Sequence, residues 1–288
     1  MTTITSAARL TLDLSETLQD WRRWQNAQGL SERTIKERAG ILTALVQRSG
    51  ISPKELDSKR IISFLSRTDI TTVTKSTYFV ALKAYFTWLI RSEQRIDDPT
   101  QKVPSPKRKL ATPRPISTEQ LSRTLGSTKR MNTRMQILLA AFAGLRVHEI
   151  AKFRGEDVDR YSATLTVTGK GSRTHQLPIA PELMLAMENW PQFGYWFPSP
   201  IYKNEPVQPY AISISIKRAM ERAGVHATPH QLRHWYATTL LDQGTDIRIV
   251  QELMRHQTLA TTQIYTLVSD KQRRTAINRL EFPKIEHS

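Results

Sequence analysis

HQLRHWYAT, residues 230–238, sets two histidines four positions apart on what reads as a helix, with an arginine between them. Three uses fit that spacing: half of a metal site, a clamp for an anion, or an ordinary buried turn. A zinc protease of the HExxH type needs a carboxylate directly after the first histidine, to take a proton from metal-bound water. That position is Gln231. Arg233 would also set a fixed positive charge beside a divalent cation, which Coulomb's law disfavours, and no compact pattern elsewhere offers a third ligand. An anion clamp fits better. A guanidinium bonds two oxygens of a phosphate at once and stays charged, while an imidazole both donates to an anion and moves a proton. Leu232, Trp235 and Leu240 then read as core contacts, and His234 and Tyr236 as packing residues.

The rest of the chain says which anion. Among 288 residues, 42 Lys and Arg face 26 Asp and Glu, a formal charge of +16 that attracts polyanions, nucleic acid first among them. These cations are spread along the chain and not gathered in one amphipathic helix, which weakens a membrane-surface role. The absence of cysteine excludes disulfides, a thiol nucleophile and thiolate-held zinc. No apolar run is long enough to span a bilayer, and the first residues lack the order of a signal peptide, so a cytoplasmic protein is expected.

Residues 14–96 read as helix throughout. LSETLQDWRRWQNAQGL begins with a capping signal at Ser15 and ends near Gly29. SERTIKERAGILTALVQRSG has Ser31 as cap, Ile35, Leu42 and Leu45 on one face, and Gly50 as stop. SPKELDSKRIISFLSR carries Pro53 in its first turn, and TKSTYFVALKAYFTWLIRSEQ repeats Phe79, Leu82, Phe86 and Leu89 at helical spacing. A four-helix bundle over residues 1–97 is expected, with Arg33, Lys36, Arg38 and Lys75 on its polar faces. Five prolines then break the periodicity in DPTQKVPSPKRKLATPRPIS, so 98–116 reads as a stiff basic linker with Lys107, Arg108 and Lys109 at its centre.

The second domain, 117–288, reads α-rich with one small strand pair. TRMQILLAAFAG is apolar nearly all round, a central helix ended by Gly144. LRVHEIAKFRGEDVD restarts a helix, and ATLTVTGKGSRTHQLPI is a hairpin about a Gly-Lys-Gly turn. An aromatic loop, ENWPQFGYWFPSP, precedes four more helical stretches.

Taken in order, AGLRVHEIAKF, TGKGSRTHQLPI, HQLRH and LLDQGTDIRIVQELMRHQTLATTQIYT, with a histidine nine residues before a tyrosine, resemble the catalytic domain of the tyrosine recombinases, the family of phage integrases and Xer-type resolvases. The likeness runs from Ser117 to about Leu280, and the helical residues before the linker look like the family's core-site DNA-binding domain. The fold it implies is mainly α with a small β-hairpin or sheet, its two domains forming a C-shaped clamp on DNA.

The resemblance also implies site residues. Arg146 and Arg233 would bond the non-bridging oxygens of a DNA phosphodiester, whose negative charge otherwise repels a nucleophile. Tyr265 would be that nucleophile, reacting as phenolate, with His230 assisting removal of its proton. His256 would donate to the phosphate, and Lys170, at the hairpin turn beside Arg173, would protonate the departing 5′ oxygen. Glu149 would orient the arginine or His230. The product of attack is a 3′ phosphotyrosyl link, which the 5′ hydroxyl of a partner strand then attacks, so two rounds pass through a Holliday junction. No metal or cofactor is implied. The implied partners are double-stranded DNA with specific recombination sites, four protomers at synapsis from a monomer free in solution, and room for an accessory DNA-bending protein. Residues 269–288 resemble an exchanged C-terminal segment, with Ile277 and Leu280 as apolar anchors.

Two positions depart from the family pattern. Arg255 stands where a glycine usually precedes the second histidine, which puts the tightness of that turn in question, and His148 replaces a serine. About a dozen residues precede the first helical pattern, where many phage integrases carry an arm-site domain, and the two-domain plan is expected to fit either a minimal integrase or a Xer-like resolvase. Integration or excision of a phage or mobile element is the leading function. Xer-like dimer resolution, a type IB topoisomerase and a non-catalytic DNA-binding protein are the alternatives, and a metal hydrolase the weakest. The charge itself is testable by titrating DNA affinity against salt. Neutralising about ten phosphates should give a log–log slope of about −9, and a nearly flat titration would contradict extensive DNA contact.

Overall fold

The computed structural model describes residues 6–107, 114–169 and 174–255. The chain divides into two compact units, Met1–Leu110 and Ala111–Ser288.

The first unit is built of α1 (Ser6–Ala27), α2 (Glu32–Ser49), α3 (Ser58–Ser66) and α4 (Thr72–Arg91). Ser31 caps α2 by accepting the Thr34 N–H, and Gly50 closes it, as the sequence predicts. Trp21 of α1 is the hinge of the core. Its ring meets Tyr85 edge-on at 5.1 Å and stacks on Trp88 at 6.3 Å, above the buried Leu42, Leu45, Leu82, Phe86 and Leu89. Such aromatic pairs add about 0.5–1.5 kcal/mol each beyond their burial.

Three sequence expectations change here. α1 begins well before Ser15, because Leu10, Leu14, Leu18 and Trp21 continue the apolar stripe through it. The predicted Pro53 helix splits into a 3₁₀ turn, Pro53–Glu55, and α3, which Asp57 caps by accepting the Arg60 N–H at 2.8 Å. Arg95 pins the break by donating to the carbonyls of Lys54 and Leu56, each at 2.8 Å. The segment read as a linker is folded at both ends. Asp98 accepts from Thr100 N and Oγ1 in a 3₁₀ turn, Pro99–Lys102, and Val103 joins the first core, while Ile116 joins the second.

The second unit is arranged around α6 (Met131–Phe142), whose Met135, Ile137, Leu139, Ala140 and Ala141 are buried. Packed on it are α7 (Val147–Ala151), α8 (Pro181–Met187), α9 (Pro209–Arg222) and α10 (Pro229–Asp242). α5 (Thr118–Ser127) lies against α9, and α11 (Ile247–Leu253) against α10. The patterns did not single out α5 or α8. The sheet is three-stranded and antiparallel, in the order β1 (Val158–Asp159), β2 (Thr164–Thr168), β3 (Thr174–Pro178). The hairpin is therefore as expected, but a short third strand joins it. Asp159 accepts the N–H groups of Tyr161 and Ser162 at 2.9 and 3.1 Å and so turns the chain back from β1 into β2. The helix expected over LRVHEIAKFRGEDVD stops at Ala151, since Phe153 and Gly155 pair instead with Trp196 and Gly194 of the aromatic loop. Among the described residues, no helix is long and apolar enough to cross a membrane.

The contact between Gly155 and the aromatic loop admits no side chain. A Cβ on Gly155 would lie 2.2 Å from the carbonyl carbon of Gln192 and 2.3 Å from the Pro191 oxygen, both backbone atoms. Gly155→Ala should destabilise the second unit by about 2–3 kcal/mol in urea unfolding, the cost of overpacking against a fixed chain. An unchanged midpoint would mean that residues 191–194 yield freely.

Candidate active site

Arg146 stands where the chain leaves α6 for α7, and glycine makes that junction. Gly144 has a φ of 59°, and a Cβ there would meet Cδ1 of Tyr236 at 2.7 Å. Backbone angle and neighbour both require hydrogen at this position. The Gly144 carbonyl is turned toward two guanidinium groups: Arg233 donates to it from Nη1, and Arg255 from Nη2 at 3.3 Å.

Glu149 closes the first turn of α7 and gathers the cations around it. Its Oε2 accepts the Arg146 backbone N–H at 2.7 Å and its Oε1 accepts Arg146 Nη1 at 3.0 Å. From the other side Arg255 Nη2 donates to Oε2 at 2.8 Å. The side chains of Glu149 and Arg255 are 2% and 3% exposed, whereas that of Arg146 keeps 33%. Burial pushes the Glu149 carboxyl up. The charge of Arg255, the Arg146 N–H, and the charges of Arg233 and Arg146 outweigh it and hold the group below its ordinary value, so it is ionised at neutral pH. His148 is exposed, and the hydrogen bonds that hold Arg146 come from Glu149.

α10 brings the opening motif to this cluster. Thr228 and Pro229 start the helix, and Gln231 Oε1 accepts the Thr228 N–H at 2.8 Å while its Nε2 donates to the Arg114 carbonyl at 2.7 Å. Gln231 thus has a structural task at the position where a zinc protease would carry its base. His230 is exposed at the start of α10. Desolvation first, then the charges of Arg233 and Arg146, lower its pKa, leaving a neutral imidazole at neutral pH that can accept a proton. His234 meets it edge-on at 4.5 Å and is itself pushed down to about 4 by burial, His230 and Arg233.

Arg233 is held from within the fold. Its residue is 1% exposed, and its guanidinium donates to the carbonyls of Gly144 and Met254. The turn after α11 brings the Met254 carbonyl to this guanidinium. The sequence marks Arg255 as a departure of backbone, and the structure makes it the second guanidinium on Glu149. The signal available in the sequence was a cation placed where the chain takes positive φ, here 51°.

The structure brings together Arg146, Glu149, His230 and Arg233. Lys170, Arg173, His256, Tyr265, Arg108, Lys109 and the segment 269–288 lie outside the described residues. In the first unit Arg33 and Lys36 are exposed on α2, and Lys36 lies 3.9 Å from Glu32. Arg38 donates to Gln25 at 3.2 Å and lines a cleft of about 370 Å3 with Trp24, Lys83, Thr87 and Arg91. Lys75 is half-buried in the first turn of α4, and Lys107 is exposed. Lys83, Thr87 and Arg91, at i, i+4, i+8 spacing on α4, form one polar stripe along that cleft.

Residues 115–272 match the phage integrase family. Tyrosine recombinase XerA of Pyrococcus furiosus is 30% identical, covering 92% of this chain and 94% of its own. The integrase from mycobacterium phage Brujita is 42% identical over 92% of both chains, with a TM-score of 0.50. A lambda integrase tetramer bound to a Holliday junction shares the fold at a TM-score of 0.69, with 16% identity over 85% of this chain and 77% of that one. The chain belongs to the phage integrase family and is a tyrosine recombinase.

The imidazole pair makes stability depend on pH. Both folded pKa values lie below the unfolded value of about 6.5, so the unfolded chain binds more protons as pH falls through it. Stability present at neutral pH is then lost between about pH 6.5 and 4. For His234 the loss is on the order of 1–2 kcal/mol after allowance for solvent at the half-buried ring. Urea midpoints at pH 7 and 4.5 should therefore separate less in His234→Gln than in the wild type; equal separation would show that His234 is not the titrating group.

Proposed function

We propose that the protein is a site-specific DNA recombinase of the integrase type, and that Arg146, Arg233 and Glu149, with His230 beside them, form its phosphate-activating cleft. The observation that carries this is the buried Glu149 carboxylate among arginines next to a neutral histidine, in a chain with the phage integrase pattern. Arg146, a third exposed, meets the phosphate directly. Arg233 adds its charge from within, and bonds the phosphate once the Met254 carbonyl gives way.

In this proposal the Tyr265 Oη attacks phosphorus and its proton passes to the His230 imidazole. The bond from phosphorus to the 5′ oxygen breaks, Lys170 protonates the leaving oxygen, and His256 donates to a non-bridging oxygen. The number of phosphodiester bonds is conserved when the 5′ hydroxyl of the partner strand attacks the phosphotyrosyl link, so the exchange needs no external energy source. The units closing as a C-shaped clamp, the first as core-site binder, would set Arg33, Lys36, Arg38, Lys75, Lys107, Arg108, Lys109 and Arg173 near DNA phosphates. The lambda integrase tetramer on a Holliday junction supports assembly as four protomers, and in this proposal the 269–288 segment is what they exchange. Cytoplasmic residence and an accessory DNA-bending protein belong to the same proposal. The 42% identity to a phage integrase favours integration and excision, while the likeness to XerA along most of the chain supports dimer resolution as the second reading.

A nicked duplex carrying the bound site should trap a covalent adduct on Tyr265. Tyr265→Phe should abolish it, and an adduct that survives this change would give the nucleophile another identity. Product strands drawn from two different duplexes distinguish recombination from relaxation by a topoisomerase.

A further inference from the structure

We infer that Arg255 is a positioning residue of the recombination site, whose sealed guanidinium holds Glu149 in place for Arg146 and ties the turn after α11 to the Gly144 carbonyl that anchors Arg233. The inference rests on the reading of that cleft as the phosphate-activating one.

One nitrogen makes both links. Arg255 Nη2 lies 2.8 Å from Glu149 Oε2 and 3.3 Å from the Gly144 oxygen, while Nη1 donates to the Leu253 carbonyl at 3.3 Å. Each of the first two acceptors is shared with a proposed phosphate ligand, Glu149 with Arg146 and Gly144 with Arg233. With its side chain 3% exposed, Arg255 acts through these groups and not on DNA.

The backbone alone gives no reason for arginine here. Its φ is 51°, a region that glycine occupies without strain and a residue with a Cβ does not. The Nε is buried with no hydrogen-bond partner among the described residues. Both features disfavour arginine, and the contacts to Glu149 and Gly144 are what hold it.

The charge pattern says what those contacts do. A carboxylate paired with one arginine neutralises it; one divided between two leaves each more of its charge. Arg255 therefore keeps Glu149 ionised, so that it fixes the Arg146 backbone and guanidinium, while leaving Arg146 cationic toward an incoming phosphate.

The test uses the full chain and a nicked duplex carrying the bound site, with adduct formation followed in a single turnover at saturating DNA and affinity measured separately. Arg255→Gly, which relieves the backbone, should slow adduct formation about 10- to 100-fold, the scale on which misplaced reacting groups act, and leave the dissociation constant unchanged. Arg255→Lys, which keeps the charge, should fall between that variant and the wild type. In a Glu149→Gln background the loss from Arg255→Gly should shrink, because the partner is already gone. Wild-type rates in Arg255→Gly, a loss wholly in affinity, a lysine variant no faster than the glycine one, or an equal loss in both backgrounds would each overturn the inference. Should Arg255→Gly fail to fold, Arg255→Met takes its place beside the lysine variant. Absence of an adduct in the wild type counts against the recombinase reading of the cleft, whereas adduct formation indifferent to Arg255 overturns this inference alone.

Discussion

The second unit is organised around a buried negative charge. Removing a carboxylate from water costs several kcal/mol even after relaxation, and Glu149 is ionised with its side chain 2% exposed. Three arginines surround it, and each would repel the others if the carboxylate were neutral. The cluster is therefore interdependent. Glu149 is tolerated because of the arginines, and the arginines stand close together because of Glu149. Three positive charges and one negative leave an excess that a phosphodiester oxygen can answer, with Arg146 as the member that reaches solvent.

Gly144 makes that gathering sterically feasible. It ends α6, turns the chain through a left-handed φ, and lets the Tyr236 ring of α10 close against the backbone. The same residue offers its carbonyl to Arg233 and Arg255. The helix that carries His230 and Arg233 is thereby held to the loop that carries Arg146, and the spacing between the two motifs is set by one residue without a side chain.

Periodic elements were readable in the sequence because a stripe of apolar residues reports on its own neighbours. α2, α4, α6, α9 and α10 follow from such stripes and their caps, as does the hairpin of β2 and β3. Elements defined by a distant partner were not readable. α7 stops where the aromatic loop takes over its hydrogen bonds, β1 exists because an aspartate turn brings it beside β2, and Arg95 breaks the Pro53 helix from the end of the first unit. The site divides in the same way. Arg146, Glu149, His230 and Arg233 stand out in the sequence through motif and family resemblance. The burial of Arg233 and the task of Arg255 depend on which carbonyls the turn after α11 brings into the cleft, and no local pattern encodes that.

The two charge systems of the molecule obey different physics. Its +16 excess is spread along the chain, on side chains such as Arg33, Lys36 and Lys107 that face water. At physiological ionic strength such charges act over roughly 8 Å, and their attraction for a polyanion weakens steeply with salt. The Glu149 carboxylate and the Arg255 guanidinium lie inside the fold, and the cluster's geometry is fixed by hydrogen bonds of 2.7–3.0 Å. Salt that releases a polyanion from the surface therefore leaves the cluster assembled. Surface cations govern encounter and affinity without sequence information, while the buried acid governs where Arg146 and Arg255 stand.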